Sequence, residues 1–139
     1  MKYNINGEPL TRAYKTIKRA LNDCSIPYLE GVVDVLGDLP LQEDERENGL
    51  AYMSLAAKYL LVPKLDLELI KLLGHRGNIS RQIGSIKKEK GLPIYVPERE
   101  REVIATRERM ALGLGLPSGL ATELWTLIMA ESRRVQEAL

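Results

Sequence analysis

Several residues on which enzyme chemistry commonly depends are almost absent from this sequence. Its 139 residues include one cysteine, Cys24, and one histidine, His75. A single cysteine excludes an internal disulfide, and it has no neighbour with which to form a metal motif. A single histidine excludes zinc sites built on paired histidines and disfavours a Ser-His-Asp triad, so we interpret His75 as a helix-surface residue. Any chemistry must therefore depend on Arg, Lys, Glu, Ser and Gln side chains.

Long apolar runs are also absent. No stretch is long enough to span a bilayer, and the opening MKYNINGEPL lacks the apolar core of a signal peptide. These absences predict a cytoplasmic protein with no membrane contact. Hydrophobic residues make up 45% of the chain and charged residues 28%, the balance of an ordinary globular protein, and the length suits one domain with an additional arm.

Charge of one sign is not in large excess, since the net charge is only +1. The distribution is uneven: residues 51–139 carry fourteen basic and ten acidic side chains, whereas residues 1–50 carry six and nine. A mildly cationic C-terminal part suits a small anionic ligand as well as it suits a polyanion. Charge alone does not choose between them.

Strand-like alternation is weak beyond the opening residues, whereas helical periodicity is strong. The first half of the chain predicts two short helices, over residues 10–21 and 28–36, and the second of these is closed by glycine and proline breakers. An acidic stretch at 43–47 then precedes a more apolar segment, which is predicted to stop or kink at Pro63.

A regular apolar stripe begins after this proline. Its members recur at alternating spacings of four and three, with Arg76 in the one missing place: Leu65, Leu69, Leu72, Ile79, Ile83 and Ile86. The stripe predicts a long helix that ends near Gly91 and packs along a partner helix. Two shorter helices are predicted after it, from Pro97 to about residue 112 and from about residue 120 onward. A helix of roughly 25 residues is about 38 Å long, so we expect a second subunit to cover it.

Several polar residues lie on the predicted packing faces. Lys87 follows Arg76 by eleven positions, about three helical turns, so both cations point to nearly the same side. Ser132 and Gln136 are four residues apart and share one face of the last helix. Each residue taken singly is typical of an interface salt bridge or a solvated helix surface. Their combination is what points to a function.

The middle helix adds two further polar residues at its start. Arg99 and Glu100 follow Pro97, where their side chains can lean back over the end of the long helix. The run ERERE to which they belong is most often a set of exposed ion pairs, so by itself it does not indicate a site.

Four segments, in this order and spacing, carry a resemblance to a known family. They are LDLELIKLLGHR at 65–76, IGSIKKEKGLPI at 83–94, VPERERE at 96–102 and LIMAESRRVQ at 127–136. Together they resemble the all-helical chorismate mutases, a family with three helices per chain and an intertwined dimer. The resemblance implies an all-α fold, with a three-helix mutase core forming an intertwined homodimer. It predicts a mutase domain over 49–139 and a helical N-terminal extension of unknown role over 1–48.

The resemblance also implies a reaction, the pericyclic rearrangement of chorismate to prephenate in phenylalanine and tyrosine biosynthesis. This reaction needs no cofactor, no metal and no covalent intermediate. The catalytic residues implied are Arg76, Lys87 and Gln136: Lys87 and Gln136 donate to the ether oxygen, where negative charge grows in the transition state. Chorismate is a dianion, and Arg76 and Arg99 would hold its carboxylates. A neutral glutamine at 136 would donate over a wide pH range, whereas a glutamate would need protonation.

Further substrate-binding roles are implied for Ser132, which steadies a carboxylate, and for Glu100, which takes the ring hydroxyl. The sequence departs from the family at two positions. Tyr59 stands where the family has an arginine that reaches into the partner's site, and Val96 stands where an acid often helps to hold the ring hydroxyl. We predict that Lys58, next to Tyr59, supplies the missing cation. The N-terminal residues that could replace it instead are Arg12, Arg19 and Arg46.

Three other functions fit parts of the sequence. An isochorismate-pyruvate lyase uses the same scaffold, but Ser132 and Glu100 favour the mutase. A non-catalytic binder of chorismate-like metabolites would account for Tyr59. A helix-turn-helix DNA-binding module superficially fits NISRQIGSIKKEKG at 78–91, although the unbroken apolar stripe and the small net charge argue against it. The prediction is therefore a small-molecule enzyme that does not bind nucleic acid.

Overall fold

The computed structural model of the chain describes residues 8–38 and 44–139. Over these residues it contains helices joined by short turns and no strand: α1 (Glu8–Leu21), α2 (Ile26–Asp38), α3 (Asp44–Lys90), α4 (Pro97–Gly113) and α5 (Leu120–Glu137). The predicted all-α fold class is confirmed. The other predicted helices lie within a few residues of their expected bounds, whereas the long helix begins at Asp44, well before Leu65. The chain divides into two compact units, Met1–Lys71 and Leu72–Leu139, and α3 contributes to both.

The first unit has a small hydrophobic core of its own, formed by α1, α2 and the first part of α3. The buried residues of this core are Ile17, Leu29, Ala56, Ala57, Leu60 and Leu61. Cys24 and Tyr59 are partly buried and pack against it. Two short helices cannot bury their apolar faces alone, so the N-terminal segment is stabilised by the face of α3 that it covers. The N-terminal extension therefore packs against the turns of α3 that carry Tyr59.

The expected stop at Pro63 is not found, because α3 continues through this proline to Lys90. A proline inside a helix loses a backbone hydrogen bond and destabilises the helix by about 3 kcal/mol. Leu60 and Leu61, three and two residues before this proline, are 4% and 8% exposed. Burial of a leucine side chain contributes roughly 1.5–3 kcal/mol, so packing of this helical turn offsets the missing bond.

The second unit contains the end of α3 together with α4 and α5, which pack against each other. Helix α3 ends as predicted, with Gly91 in the left-handed region at φ 66°. The Leu92 amide donates to the Lys87 carbonyl at 2.8 Å, which closes the last turn. This turn directs the following residues back along the helix end.

The start of α5 is held by a side chain from α4. Gly119 precedes the helix at φ 89° and has no side chain with which to cap it. Glu108 takes that role: its carboxylate accepts hydrogen bonds from the Gly119 amide at 3.0 Å and the Thr122 amide at 3.1 Å. The Thr122 hydroxyl also donates to it at 3.0 Å. These bonds lower the pKa of the Glu108 carboxyl, and the one from Gly119 has the largest effect. They connect α4 to the beginning of α5.

The segment that superficially suggested a helix-turn-helix module, residues 78–91, contains no such turn. Residues 78–90 belong to the single helix α3. Gly84 lies inside this helix and does not end it, in line with the unbroken apolar stripe of the sequence.

Among the helices that the structure describes, none is long and apolar enough to cross a membrane.

Candidate active site

A cavity of about 280 Å³ lies in the second unit, among side chains of α3, α4, α5 and the turn after α3. This volume is near the lower end of the range of roughly 300–1,000 Å³ for small-molecule sites. Six of the seven site residues predicted from the sequence line it: Arg76, Lys87, Arg99, Glu100, Ser132 and Gln136. The remainder of the lining is largely apolar and includes Val96, the position where the family often has an acid.

Lys58, the seventh predicted site residue, does not line this cavity. It is an exposed residue of α3 and belongs to the first unit. The cavity within one chain therefore does not support a role for Lys58 in substrate binding. This role stays a prediction for a site to which a second copy of the chain contributes.

Arg76 explains the interruption of the apolar stripe, because its side chain turns toward α5. One guanidinium nitrogen donates to Ser132 Oγ at 2.8 Å, and another lies 3.5 Å from Met129 Sδ. Burial lowers the pKa of Arg76, and the positive charge of Arg107 lowers it further. Among the described residues no carboxylate forms a salt bridge with Arg76. The guanidinium is thus held by neutral partners and retains its capacity to bind an anion.

Gln136 is anchored to α3 by Ser80. The Gln136 side-chain amide donates to the Ser80 carbonyl at 3.1 Å and to Ser80 Oγ at 3.0 Å. Both residues are buried, at 8% and 6% exposed. Buried polar groups keep such partners because their loss leaves them unsatisfied, so Ser80 orients the amide at the edge of the cavity.

Lys87 is the one lysine of the run KKEK that lines the cavity. Its ammonium group donates to the Ile94 carbonyl at 3.3 Å, across the turn that follows α3. Lys88 is exposed and donates to the Leu139 carbonyl at 2.6 Å, and Lys90 is exposed as well. The angular difference between neighbouring helix positions separates these lysines.

Glu100 is half-buried in an ion pair instead of lying on an exposed helix surface. Its carboxylate is 3.7 Å from the Arg133 guanidinium, with side-chain exposures of 18% for Glu100 and 29% for Arg133. The same guanidinium stacks over the Tyr95 ring at 4.3 Å from the ring centre. Arg133 therefore fixes the position of the one carboxylate that lines the cavity. Arg99, the other residue predicted from this run, lines the cavity from an exposed position.

Three polar lining residues were missed by the sequence interpretation: Ser80, Arg107 and Arg133. Helical spacing contained a signal for each of them. Ser80 lies four residues after Arg76, Arg107 lies seven residues after Glu100, and Arg133 lies three residues before Gln136. Spacing alone does not distinguish them from other polar residues at similar intervals, because it does not show which helix faces meet.

The described residues contain no group of three or more His, Cys, Asp or Glu side chains that could hold a metal ion. His75, the one histidine, is exposed on α3, in agreement with its interpretation as a helix-surface residue.

Comparison with known proteins gives a consistent picture. Residues 62–137 match the family described as chorismate mutase type II. The chain is 38% identical over 71 residues to the T-protein of Enterobacter agglomerans, which is 51% of this chain and 19% of that protein. It is 45% identical over 42 residues to the bifunctional chorismate mutase/prephenate dehydratase of Aquifex aeolicus, which is 30% of this chain and 12% of that protein.

A shorter relative is matched over most of its length. The chain is 18% identical over 76 residues to the chorismate mutase of Methanocaldococcus jannaschii, covering 55% of this chain and 77% of that protein. By contrast, it spans about a fifth of the T-protein that it matches. No solved structure matches the chain significantly.

Proposed function

The chain belongs to the chorismate mutase type II family, and on this premise we propose that it rearranges chorismate to prephenate. The observation that carries the proposal is the composition of the cavity described above. Its lining includes five cationic side chains, Arg76, Lys87, Arg99, Arg107 and Arg133, and one carboxylate, Glu100. A dianionic substrate of small volume is complementary to such a lining.

Arg76 and Arg99 hold the two carboxylates of the substrate in this proposal. Guanidinium groups bind carboxylates in a defined orientation, and holding both ends restricts the molecule to a folded conformer. In that conformer the carbon atoms that form the new bond are close together. Pre-organisation of this kind lowers the barrier of a reaction that requires no proton transfer.

Lys87 and Gln136 donate hydrogen bonds to the ether oxygen as the C–O bond breaks. Both are already oriented, Lys87 by the Ile94 carbonyl and Gln136 by Ser80. Donation by Gln136 to the substrate would replace its bond to Ser80 Oγ and leave its bond to the Ser80 carbonyl intact. Donors that are fixed before the reaction stabilise the growing negative charge without a reorganisation cost.

Ser132 and Glu100 complete the substrate contacts. The Ser132 hydroxyl accepts a hydrogen bond from Arg76 and keeps its own hydrogen to donate to a substrate carboxylate. Glu100, held by Arg133, accepts a hydrogen bond from the ring hydroxyl. Val96 contributes no polar group at the position where the family often has an acid, so Glu100 carries this contact.

We also propose that the protein functions as a homodimer. The apolar stripe of α3 is exposed in the single chain, with Leu72 at 65%, Leu69 at 52% and Ile86 at 49% exposed. An exposed apolar row on one helix is typical of a surface that a second copy covers. In such a dimer Lys58 would have access to the partner's site, as the sequence predicts.

The proposed mutase domain begins after residue 48, and the N-terminal segment is a structural extension of it. The support is that the family match at 62–137 lies within the predicted domain at 49–139. We also propose that the protein is cytoplasmic and acts in phenylalanine and tyrosine biosynthesis.

The test is to mix the purified protein with chorismate, without added metal or nucleotide, and to identify the product. Prephenate is the expected product. Release of pyruvate from isochorismate would indicate the lyase reaction instead. A folded protein that binds chorismate and leaves it unchanged would indicate a non-catalytic binder.

A further inference from the structure

A second arginine faces the cavity beside Arg76. Arg107 lies on α4, seven residues or about two helical turns after Glu100, and is partly buried. It is near enough to Arg76 for its positive charge to lower the pKa of that residue. Two like charges therefore line one partly desolvated cavity, an arrangement that repels in the absence of an anion.

The nearby carboxylates are engaged elsewhere. Glu100 pairs with Arg133 at 3.7 Å, and Glu108, adjacent to Arg107 in sequence, accepts hydrogen bonds from the start of α5. Within the part of the chain that the structure describes, Arg107 itself forms no salt bridge. No described acid therefore neutralises the two guanidinium groups. An anionic group from outside the protein would relieve their repulsion and pair with both.

The absence of the family's arginine, at the position of Tyr59, also favours an additional cation in this cavity. Tyr59, which occupies that position, packs against the hydrophobic core of the first unit. Within a single chain, Lys58 is exposed and does not line the cavity. A dianion held by Arg76 and Arg99 alone would have one cation fewer than in the family that this chain resembles, and a desolvated carboxylate is costly without full pairing.

We propose that Arg107 is a substrate-binding residue that holds one carboxylate of chorismate together with Arg76, and that it supplies the positive charge absent at Tyr59. This inference rests on the proposed function, since it names a residue of the same site. In this proposal, Arg107 on α4 of the same chain takes the place of the family arginine that reaches in from the partner. Because Arg107 binds a carboxylate that is present both in the substrate and in the transition state, it contributes mainly to affinity.

The experiment compares steady-state kinetics of Arg107→Met and Arg107→Lys with the wild type. Loss of a charge-assisted hydrogen bond should raise KM for chorismate about ten- to hundredfold and change kcat much less. Arg107→Lys should recover much of the affinity, because it restores the charge without the planar fork. The matched control is Arg109→Met: Arg109 is on the same helix but exposed, and it donates to Thr106 Oγ1.

The melting temperature of Arg107→Met is a second measurement. A purely structural role for Arg107 predicts that it falls, whereas a binding role does not. Removal of one of two repelling charges should leave the melting temperature of Arg107→Met equal to or above that of the wild type. A markedly lower melting temperature, or failure to fold, would mean that Arg107 supports the fold, and it would overturn the inference. An unchanged KM in Arg107→Met would also overturn it, as would a rise in KM confined to Lys58→Ala.

The same variants separate failure of this inference from failure of the proposed function. If the wild type leaves chorismate unchanged, the proposed function fails, and malonate becomes the probe. This dicarboxylate should then raise the melting temperature of the wild type and of Arg109→Met but not that of Arg107→Met. Equal shifts in all three proteins, or no shift in any, would overturn the assignment of Arg107 to an anion site.

Discussion

A Cβ atom added to Gly84 on α3 would lie 2.7 Å from Cγ of Gln136 on α5, and 3.0 Å from its Cβ. Real Cβ atoms do not approach other atoms so closely, so the two helices meet here only because residue 84 has no side chain. Gln136 bonds Ser80 one helical turn earlier on α3. The close approach at Gly84 therefore determines where the Gln136 amide lies in the cavity.

We predict that Gly84→Ala destabilises the protein by about 1–3 kcal/mol, the usual cost of overpacking. It should also lower kcat, because α5 must move away from Ser80. The control is Gly74→Ala on the same helix, where an added Cβ meets no atom within 4 Å. That variant should gain roughly 0.5–1 kcal/mol from the higher helix propensity of alanine. Denaturant unfolding measures both changes, and a stabilised Gly84→Ala would refute the steric argument.

Lys87→Ala should lower kcat by roughly 10²-fold or more, the usual scale for losing one transition-state donor. Lys90→Ala, three residues further along and exposed, should have little effect on kcat. Initial rates of chorismate consumption at saturating substrate measure the difference. Equal losses in both variants would show that the lysine run acts only through its general charge.

Gln136→Glu should make the activity dependent on pH. An ionised carboxylate cannot donate to the ether oxygen, whereas its protonated form can. We therefore expect kcat near neutral pH to fall roughly 10²-fold or more and to recover as the pH is lowered. Glu137→Gln, on the adjacent exposed position, should keep the pH profile of the wild type. A profile of Gln136→Glu parallel to that of the wild type would exclude donation from this position.

Leu72→Lys should convert the proposed dimer to a monomer and reduce activity. Leu72 is 65% exposed on the apolar stripe of α3, and a lysine ammonium group there would be buried by a second copy. Leu114→Lys is the control, since Leu114 is 81% exposed but lies between α4 and α5. Analytical ultracentrifugation distinguishes the two states. A wild-type protein that sediments as a monomer would disprove the dimer.

Glu108→Gln should lower the melting temperature by a few degrees at neutral pH, because α5 loses its charged cap. The pKa of Glu108 is held below its ordinary value of 4.5 by the hydrogen bonds from Gly119 and Thr122. Its stabilising effect is therefore complete above the unfolded pKa and is lost as the pH falls through the lower, folded value. The difference in melting temperature between the wild type and Glu108→Gln should shrink as the pH falls below about 4.5.

The matched control for this acid effect is Glu102→Gln. Glu102 is an exposed residue of the same helix, whereas the described hydrogen bonds to Gly119 and Thr122 come from Glu108. Its melting temperature should follow that of the wild type over the whole pH range. A difference for Glu108→Gln that stays constant down to acidic pH would mean that the carboxylate charge does not stabilise the start of α5.

Much of this molecule is determined by local properties of its sequence. The alternation of apolar residues predicts α3 beyond Leu65, and the left-handed Gly91 and the first-turn Pro97 set the turn between α3 and α4. These features depend on residues a few positions apart, so they can be inferred before any packing is known. Six of the predicted site residues line one cavity of the second unit, and their spacing along each helix resembles that of a known family.

Tertiary structure alone decided the remaining features. Pro63 favours a helix end, but α3 continues through it, and packing of the preceding leucines offsets the lost hydrogen bond. Arg76 contacts Ser132 across 56 residues of sequence, and Gln136 contacts Ser80 across the same separation. Arg107 and Arg76 line one cavity only because α4 and α3 bring them together. Helical periodicity specifies which residues share a face, but which faces meet depends on how the helices pack, and that is a property of the folded chain as a whole.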